Sequence, residues 1–300
     1  PQGNYFLILK KLYENGKFPK VLMLSGEKGG GKFTLIFHLI NYFFTHQSKE
    51  NPYDLKKFKI NPNNTFYKNI LLNINENFNY IGNKDYKKVN IEMIRDIKKK
   101  LNTSSLNNLP RFTILDDADL LNVNSANALL KLIEEPSNSN YFILINNKRK
   151  KILETIKSRS LEVKIFINSI NKKNVLDQLL KRFDINMDNY IYFIYKTTPG
   201  TFIRVCDCLY NLNFDNGNTL YNSTEILLDK FKKDKDPIYL ETIKFLLDLN
   251  IERSFRNKNN NFLQLGLFKN KITRLLFEFE NFNLSKGSVL QSFNSLPEYG

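Results

Sequence analysis

Cysteine is nearly absent from this 300-residue chain, which has only Cys206 and Cys208. Two thiols cannot build a disulfide framework or a four-cysteine zinc site, so no zinc is expected. They read as one core and one surface thiol of a short helix. Histidine is equally scarce, at His38 and His46, and neither has a cysteine or acid partner at metal-binding spacing. Both read as packing or surface residues. No apolar run reaches the ~20 residues of a membrane helix, so no membrane partner is expected. The opening residues carry neither the charged leader nor the short apolar segment of a secretory signal, and the expected compartment is a reducing cytoplasm. Acids are few: 45 Lys and Arg stand against 30 Asp and Glu, a net charge of +15. Clustered cations release counterions from nucleic acid, so a polyanionic partner is expected. The run Lys148-Arg149-Lys150-Lys151 is the densest cluster, and by itself it reads as a solvated face.

Three hundred residues exceed one hydrophobic core, and the chain divides into two or three domains on length alone. YFLILKKLYEN at 5–15 has helical apolar spacing and stops at Gly16. VLMLSG at 21–26 is a buried strand that runs into SGEKGGGKFT, and the apolar TLIFHLINYFF continues it as a helix. Strand, glycine turn and helix form the setting of a phosphate loop. Gly26, Gly29, Gly30 and Gly31 allow backbone N–H groups to converge on phosphate oxygens, Lys32 supplies charge, and the helix start adds its dipole. ATP or ADP is the expected occupant. A hydroxyl normally follows the lysine to ligate Mg²⁺, and here Phe33 occupies that place. Thr34 lies about 100° further round the helix, so metal holding should be weak.

Beyond a polar segment at 47–69, read as a loop or irregular insertion, NILLNI at 69–74 is a short strand candidate. VNIEMIRDIKKKL at 89–101 is an amphipathic helix with Val89, Met93, Ile94, Ile97 and Leu101 inward. RFTILDDAD at 111–119 is a strand ending in acids: Asp116 could hold Mg²⁺ through water and Asp117 could orient an attacking water. NVNSANALLKLIEEP is a helix capped by Asn122, YFILIN at 141–146 a strand, and VKIF at 163–166 the last one. Wholly apolar strands alternating with helices predict a parallel sheet covered on both faces. After residue 167 only helices follow, including VLDQLLKRF, NYIYFIYK and FIRVCDCLYNL, and a turn at Thr198-Pro199-Gly200.

GEKGGGKFTL, ILDDADLLNVNSANALLKLIEEP and YFILINNKRKKILETIKSRS together resemble the clamp-loader branch of the AAA+ ATPases, in its bacterial DNA polymerase III delta-prime group. The close match covers about residues 21–166. The resemblance implies an α/β AAA+ phosphate-loop domain with a parallel sheet (1–166), a three-helix lid (167–214) and an all-helical collar (215–300) that joins a hetero-pentameric ring. It implies other clamp-loader subunits, a sliding clamp and primer-template DNA as partners. Ser158-Arg159-Ser160 stands where the family has Ser-Arg-Cys, so Arg159 is expected to act in trans on a neighbour's nucleotide. Asn146 or Asn147, and of the two Asn147, would sense nucleotide. Near Thr201, where a hydrolysing member would carry a sensing arginine, there is none, and Arg204 sits a turn too late. The family's zinc module has no counterpart in 47–69. Little hydrolysis by this chain is therefore expected. Two other classes stay open: a self-sufficient ATPase of motor or helicase type, and a nucleic-acid binder with a vestigial loop.

Overall fold

A computed structural model describes residues 2–82, 89–102, 109–183, 197–214, 219–256 and 262–293. These fall into two compact units, one running from the start of the chain to Gly200 and the other from Thr201 onward. In the first unit α1 (Gly3–Glu14) leads to β1 (Val21–Ser25), α2 (Lys32–Thr45), α3 (Thr65–Leu71) and β2 (Phe78–Ile81). There follow α4 (Ile91–Asn102), β3 (Arg111–Leu115), α5 (Val123–Ile133), β4 (Asn140–Asn146), α6 (Glu154–Lys157), β5 (Leu161–Lys164) and α7 (Ser169–Phe183). The strands lie in the order β2-β3-β4-β1-β5, and every pairing is parallel. β1 therefore sits between β4 and β5, and the ends of β1, β3 and β4 deliver the phosphate loop, the acids and the Asn146-Asn147 turn to one edge.

The alternation of strand side chains divides the core in two. Leu22, Leu24, Phe112, Ile114, Ile143 and Ile145 face α1 and α2 in a layer rich in aromatic rings, including Phe6, Tyr42 and Phe43. Val21, Met23, Leu115, Phe142 and Leu144 face the other way, against the aliphatic residues of α4, α5 and α6. Burying each such side chain contributes roughly 1.5–3 kcal/mol, and the central strands are accordingly apolar apart from a few buried polar residues such as Thr113. The parallel sheet covered on both faces is as the apolar pattern predicts.

The second unit is helical: α8 (Pro199–Asn211) enters it and α9 (Leu220–Asp234), α10 (Pro237–Arg256), α11 (Phe262–Phe282) and α12 (Lys286–Phe293) fill it. Leu227, Leu228, Ile243, Ile272, Leu276 and Val289 are fully buried there. Thr219 caps α9 by accepting from Asn222 N. Among the described residues no helix is long and apolar enough to cross a membrane.

Three details depart from the sequence reading. NILLNI is not a strand. Asn64 caps a helix over Thr65–Leu71, in which Ile70 is buried and Phe66 packs against the core, and Leu71, Leu72 and Ile74 are exposed. The strand comes later, as FNYI, a short edge strand with only Ile81 fully buried. The last strand is Leu161–Lys164, so Ile165 and Phe166 lie beyond its end. Met93 is also on the exposed side of α4, because Val89, Ile94 and Ile97 already fill the contact with α5. The helix expected over NYIYFIYK lies outside the described residues.

Candidate nucleotide site

The loop between β1 and α2 is held open by its backbone. Gly31, the residue before α2, has φ of 79°, a left-handed conformation that costs a side-chain-bearing residue energy. Gly26 N–H donates to Asn146 O at 3.1 Å, tying the loop to the end of β4. Lys32 is buried, and its Nζ donates to Gly26 O at 2.8 Å and Glu27 O at 2.7 Å. The ammonium thus lies folded across its own loop, where phosphate oxygens would replace the carbonyls. Burial lowers its pKa from 10.5 to about 8, against the pull of Asp116, Asp119 and Asp117.

A second turn closes over this loop. Gly200 N–H donates to Gly29 O at 3.0 Å, and a Cβ at residue 200 would meet that oxygen at 2.7 Å. Thr198 Oγ1 donates to Lys28 O, and Gln2 Nε2 to Gly30 O. Beside the loop is a cavity of about 450 Å³ lined by Gly29, Gly30, Gly31, Thr34, His38, Phe6, Tyr53 and Phe58, and by Val175 and Leu179 of α7. The sequence did not disclose this cavity, because its walls come from α1, the 47–69 segment, α7 and the Thr198-Pro199-Gly200 turn. The hint available was Tyr53 and Phe58, aromatic residues inside a segment that otherwise reads as polar.

On the other side of the helix start the arrangement is reversed. Phe33 packs edge-on against Tyr80, ring centroids 5.0 Å apart, and stacks on Phe37 at 5.7 Å. Tyr80 Oη in turn donates to Asp116 Oδ2 at 3.3 Å. Asp116 Oδ1 accepts from Asp117 N at 2.8 Å and Asn147 Nδ2 at 3.1 Å. Burial, followed by the charge of Asp117, pushes its carboxyl pKa up. Asp117, itself left-handed with φ of 57°, accepts at Oδ1 from Asn147 Nδ2 at 2.6 Å and is ion-paired with Arg149. Asp119, which the sequence reading passed over, accepts from Asn147 N at 3.0 Å and Arg149 N at 2.7 Å, fixing the turn that carries both partners. This donor set does not fit magnesium: an aromatic ring fills the hydroxyl's place, and the nearest carboxylate is occupied by three protein donors.

The remaining expected residues are placed as follows. Asn146 is turned toward β1, donating to Ser25 Oγ at 3.1 Å, so Asn147 is the one that meets the acids. Thr34 lines the cavity rather than the acid cluster. Arg159 follows α6, half-exposed, bonded through Nη2 to Glu134 Oε1 at 2.9 Å and through Nη1 to Thr155 O at 3.1 Å. In the second unit Arg204 pairs with Asp236 at 3.4 Å.

A family model described as "DNA polymerase III, delta subunit" matches residues 2–168. The chain belongs to that family. Its phosphate loop and sheet order make an α/β phosphate-loop domain, followed in the chain by a helical unit. It is a DNA polymerase III clamp-loader-family chain, delta-prime-like. The chain is 28% identical over 197 residues to the DNA polymerase III delta-prime subunit of Buchnera aphidicola subsp. Acyrthosiphon pisum, covering 57% of this chain and 54% of that protein. It is 34% identical over 76 residues to the delta-prime subunit of Pseudomonas aeruginosa, covering 25% of this chain and 23% of that one. It is also 28% identical over 214 residues to the gamma subunit of B. aphidicola subsp. Schizaphis graminum, covering 70% and 54%. The matches thus span from about a quarter to about half of those relatives' lengths. Among solved structures, a gamma subunit-related protein of Thermotoga maritima is similar at 16% identity and TM-score 0.48, covering 95% of this chain and 96% of that one.

Proposed function

We propose that this chain is a ring subunit of the clamp loader that holds ATP or ADP without turning it over and lends Arg159 to a neighbour. The observation that carries this reading is the blocked acid side: Phe33 on Tyr80, Tyr80 on Asp116, and Asp117 tied to Asn147 and Arg149. A water-orienting carboxylate must reach the attacking water, and Asp117 is already engaged by two donors. The loop, by contrast, keeps its backbone geometry and an adjoining cavity. Gly26, Gly29, Gly30, Gly31 and Lys32 would take the phosphates, Thr34 the sugar side, and Asp116 and Asn147 the far edge of the site.

Arg159 fits service in trans because it is half-exposed and steadied rather than buried by Glu134 and the Thr155 carbonyl. A guanidinium keeps its charge at any working pH and stabilises charge spreading over a transferring phosphoryl group. The lid expected over residues 167–214 would draw on α7, which belongs to the first unit, and on α8, and the helices from α9 onward would form the collar expected over 215–300. Other loader subunits, the sliding clamp and primer-template DNA are the partners on this reading, in the cytoplasm. Purified chain assayed alone for ATP turnover, with and without primed DNA, tests it. Turnover at about 1 s⁻¹ or faster, an ordinary enzyme rate, would overturn it.

A further inference from the structure

The cavity beside the loop has few polar groups, and two of them share one helix face. Thr34 and His38 are four residues apart on α2, so they stand in one column, and both line the cavity. His38 Nδ1 lies 2.9 Å from Tyr53 Oη. Tyr53 is buried, with its ring stacked on Phe6 at 5.7 Å. Burial keeps the phenol protonated and the imidazole neutral, raising one pKa and lowering the other. A neutral imidazole has one donor and one acceptor nitrogen. If Nδ1 carried the proton, the buried phenol hydrogen would be left without an acceptor, a costly arrangement. The phenol therefore donates to Nδ1, and the ring proton sits on Nε2. Nε2–H is what His38 then offers to the cavity it lines.

We infer that His38 reads the base of the bound nucleotide, donating from Nε2 to a ring nitrogen of a purine seated against the aromatic wall formed by Phe6 and Tyr53. Tyr53 is a positioning residue: it fixes the tautomer. A purine suits the site because N3 and N7 are acceptors on the ring itself, and adenine adds N1, whereas uracil has no such nitrogen. This inference rests on the nucleotide reading of the loop.

Calorimetric titration of the full chain separates the two. The ligands are ADP, its 1-deaza, 3-deaza and 7-deaza analogues, and inorganic tripolyphosphate. Wild type should bind one deaza analogue roughly three- to tenfold more weakly than ADP, the worth of one hydrogen bond. His38→Leu should weaken ADP by the same factor, lose nothing further with that analogue, and bind tripolyphosphate as wild type does. Tyr53→Phe should lose part of the same factor. Equal ADP affinity in wild type and His38→Leu overturns the inference, as does a parallel loss of tripolyphosphate. If wild type binds tripolyphosphate as tightly as ADP, the cavity takes no base and only this inference falls. If wild type binds neither, the nucleotide reading falls with it.

Discussion

The two sides of the α2 start are built in opposite ways. On one side Thr34 faces a cavity of about 450 Å³ beside the loop; on the other Phe33 closes a cluster in which each carboxylate already has protein donors. Successive residues of a helix point about 100° apart, so a single register step separates a side built to hold from a side built to stay shut. Holding a nucleotide and hydrolysing it are thus separable on one loop. On the function proposed above, the chemistry that such a subunit serves is performed at another subunit's site.

The hardest break in that comparison is Arg159→Ala in a reconstituted ring. A trans arginine contributes about 10³-fold or more to turnover in related phosphoryl transfers, and loss on that scale with ring assembly unchanged is expected. Unchanged turnover would remove Arg159 from the reaction. Next in size, Lys32→Ala should weaken ADP about 10- to 100-fold, the range for charge-assisted hydrogen bonds. An unaffected titration would show that the loop does not take phosphate.

pH separates the two sides in a third way. Lys32 has its pKa lowered to about 8 by burial, while polyphosphate favours the ammonium form. ADP affinity should be full below that pH and fall roughly tenfold between pH 7 and pH 9. The sign for folding is opposite to that for binding. An unfolded lysine keeps its proton to about 10.5, so the unfolded chain binds more protons between the two values and this group favours the fold more as pH rises there. Titration calorimetry at stepped pH checks the first; an affinity independent of pH would mean that Lys32 is already charged by its neighbours.

The sequence made most of this fold legible wherever an element buries a whole face. VLMLS, RFTIL and YFILI are strands because short, mostly apolar runs can be buried on both faces, and the structure has them where the pattern says, with Ser25, Arg111 and Thr113 the buried polar residues among them. It failed at β2, where FNYI is an edge strand with little to bury and the more apolar NILLNI drew attention away. Spacing singled out the loop and Asp116, and the family resemblance pointed to Asn146 or Asn147; the structure puts Asn147 beside Asp116 and Asp117. The Arg149–Asp117 pair was not, since the partners are 32 positions apart and meet only because β3 and β4 end side by side. The cavity wall is another such case, assembled from Phe6, Tyr53, Val175 and Pro199. Local pattern reports what one segment buries, whereas a site drawn from four segments needs the topology first.

The smallest expected effect is the sharpest test of the comparison itself. Phe33→Thr puts a hydroxyl back at the first turn of α2 and removes the ring that packs on Tyr80 and Phe37. Phe33 is only half-buried, so the fold should lose less than the 3–5 kcal/mol typical of truncating a fully buried aromatic residue. Nucleotide affinity should become Mg²⁺-dependent, rising a few-fold with the ion present, roughly one added ligand's worth. Turnover should stay low, because Asp117 remains bound by Asn147 and Arg149. Affinity that ignores Mg²⁺ would place the defect in the engaged Asp116 rather than in Phe33, and fast hydrolysis would mean that the aromatic ring alone had kept the acid side closed.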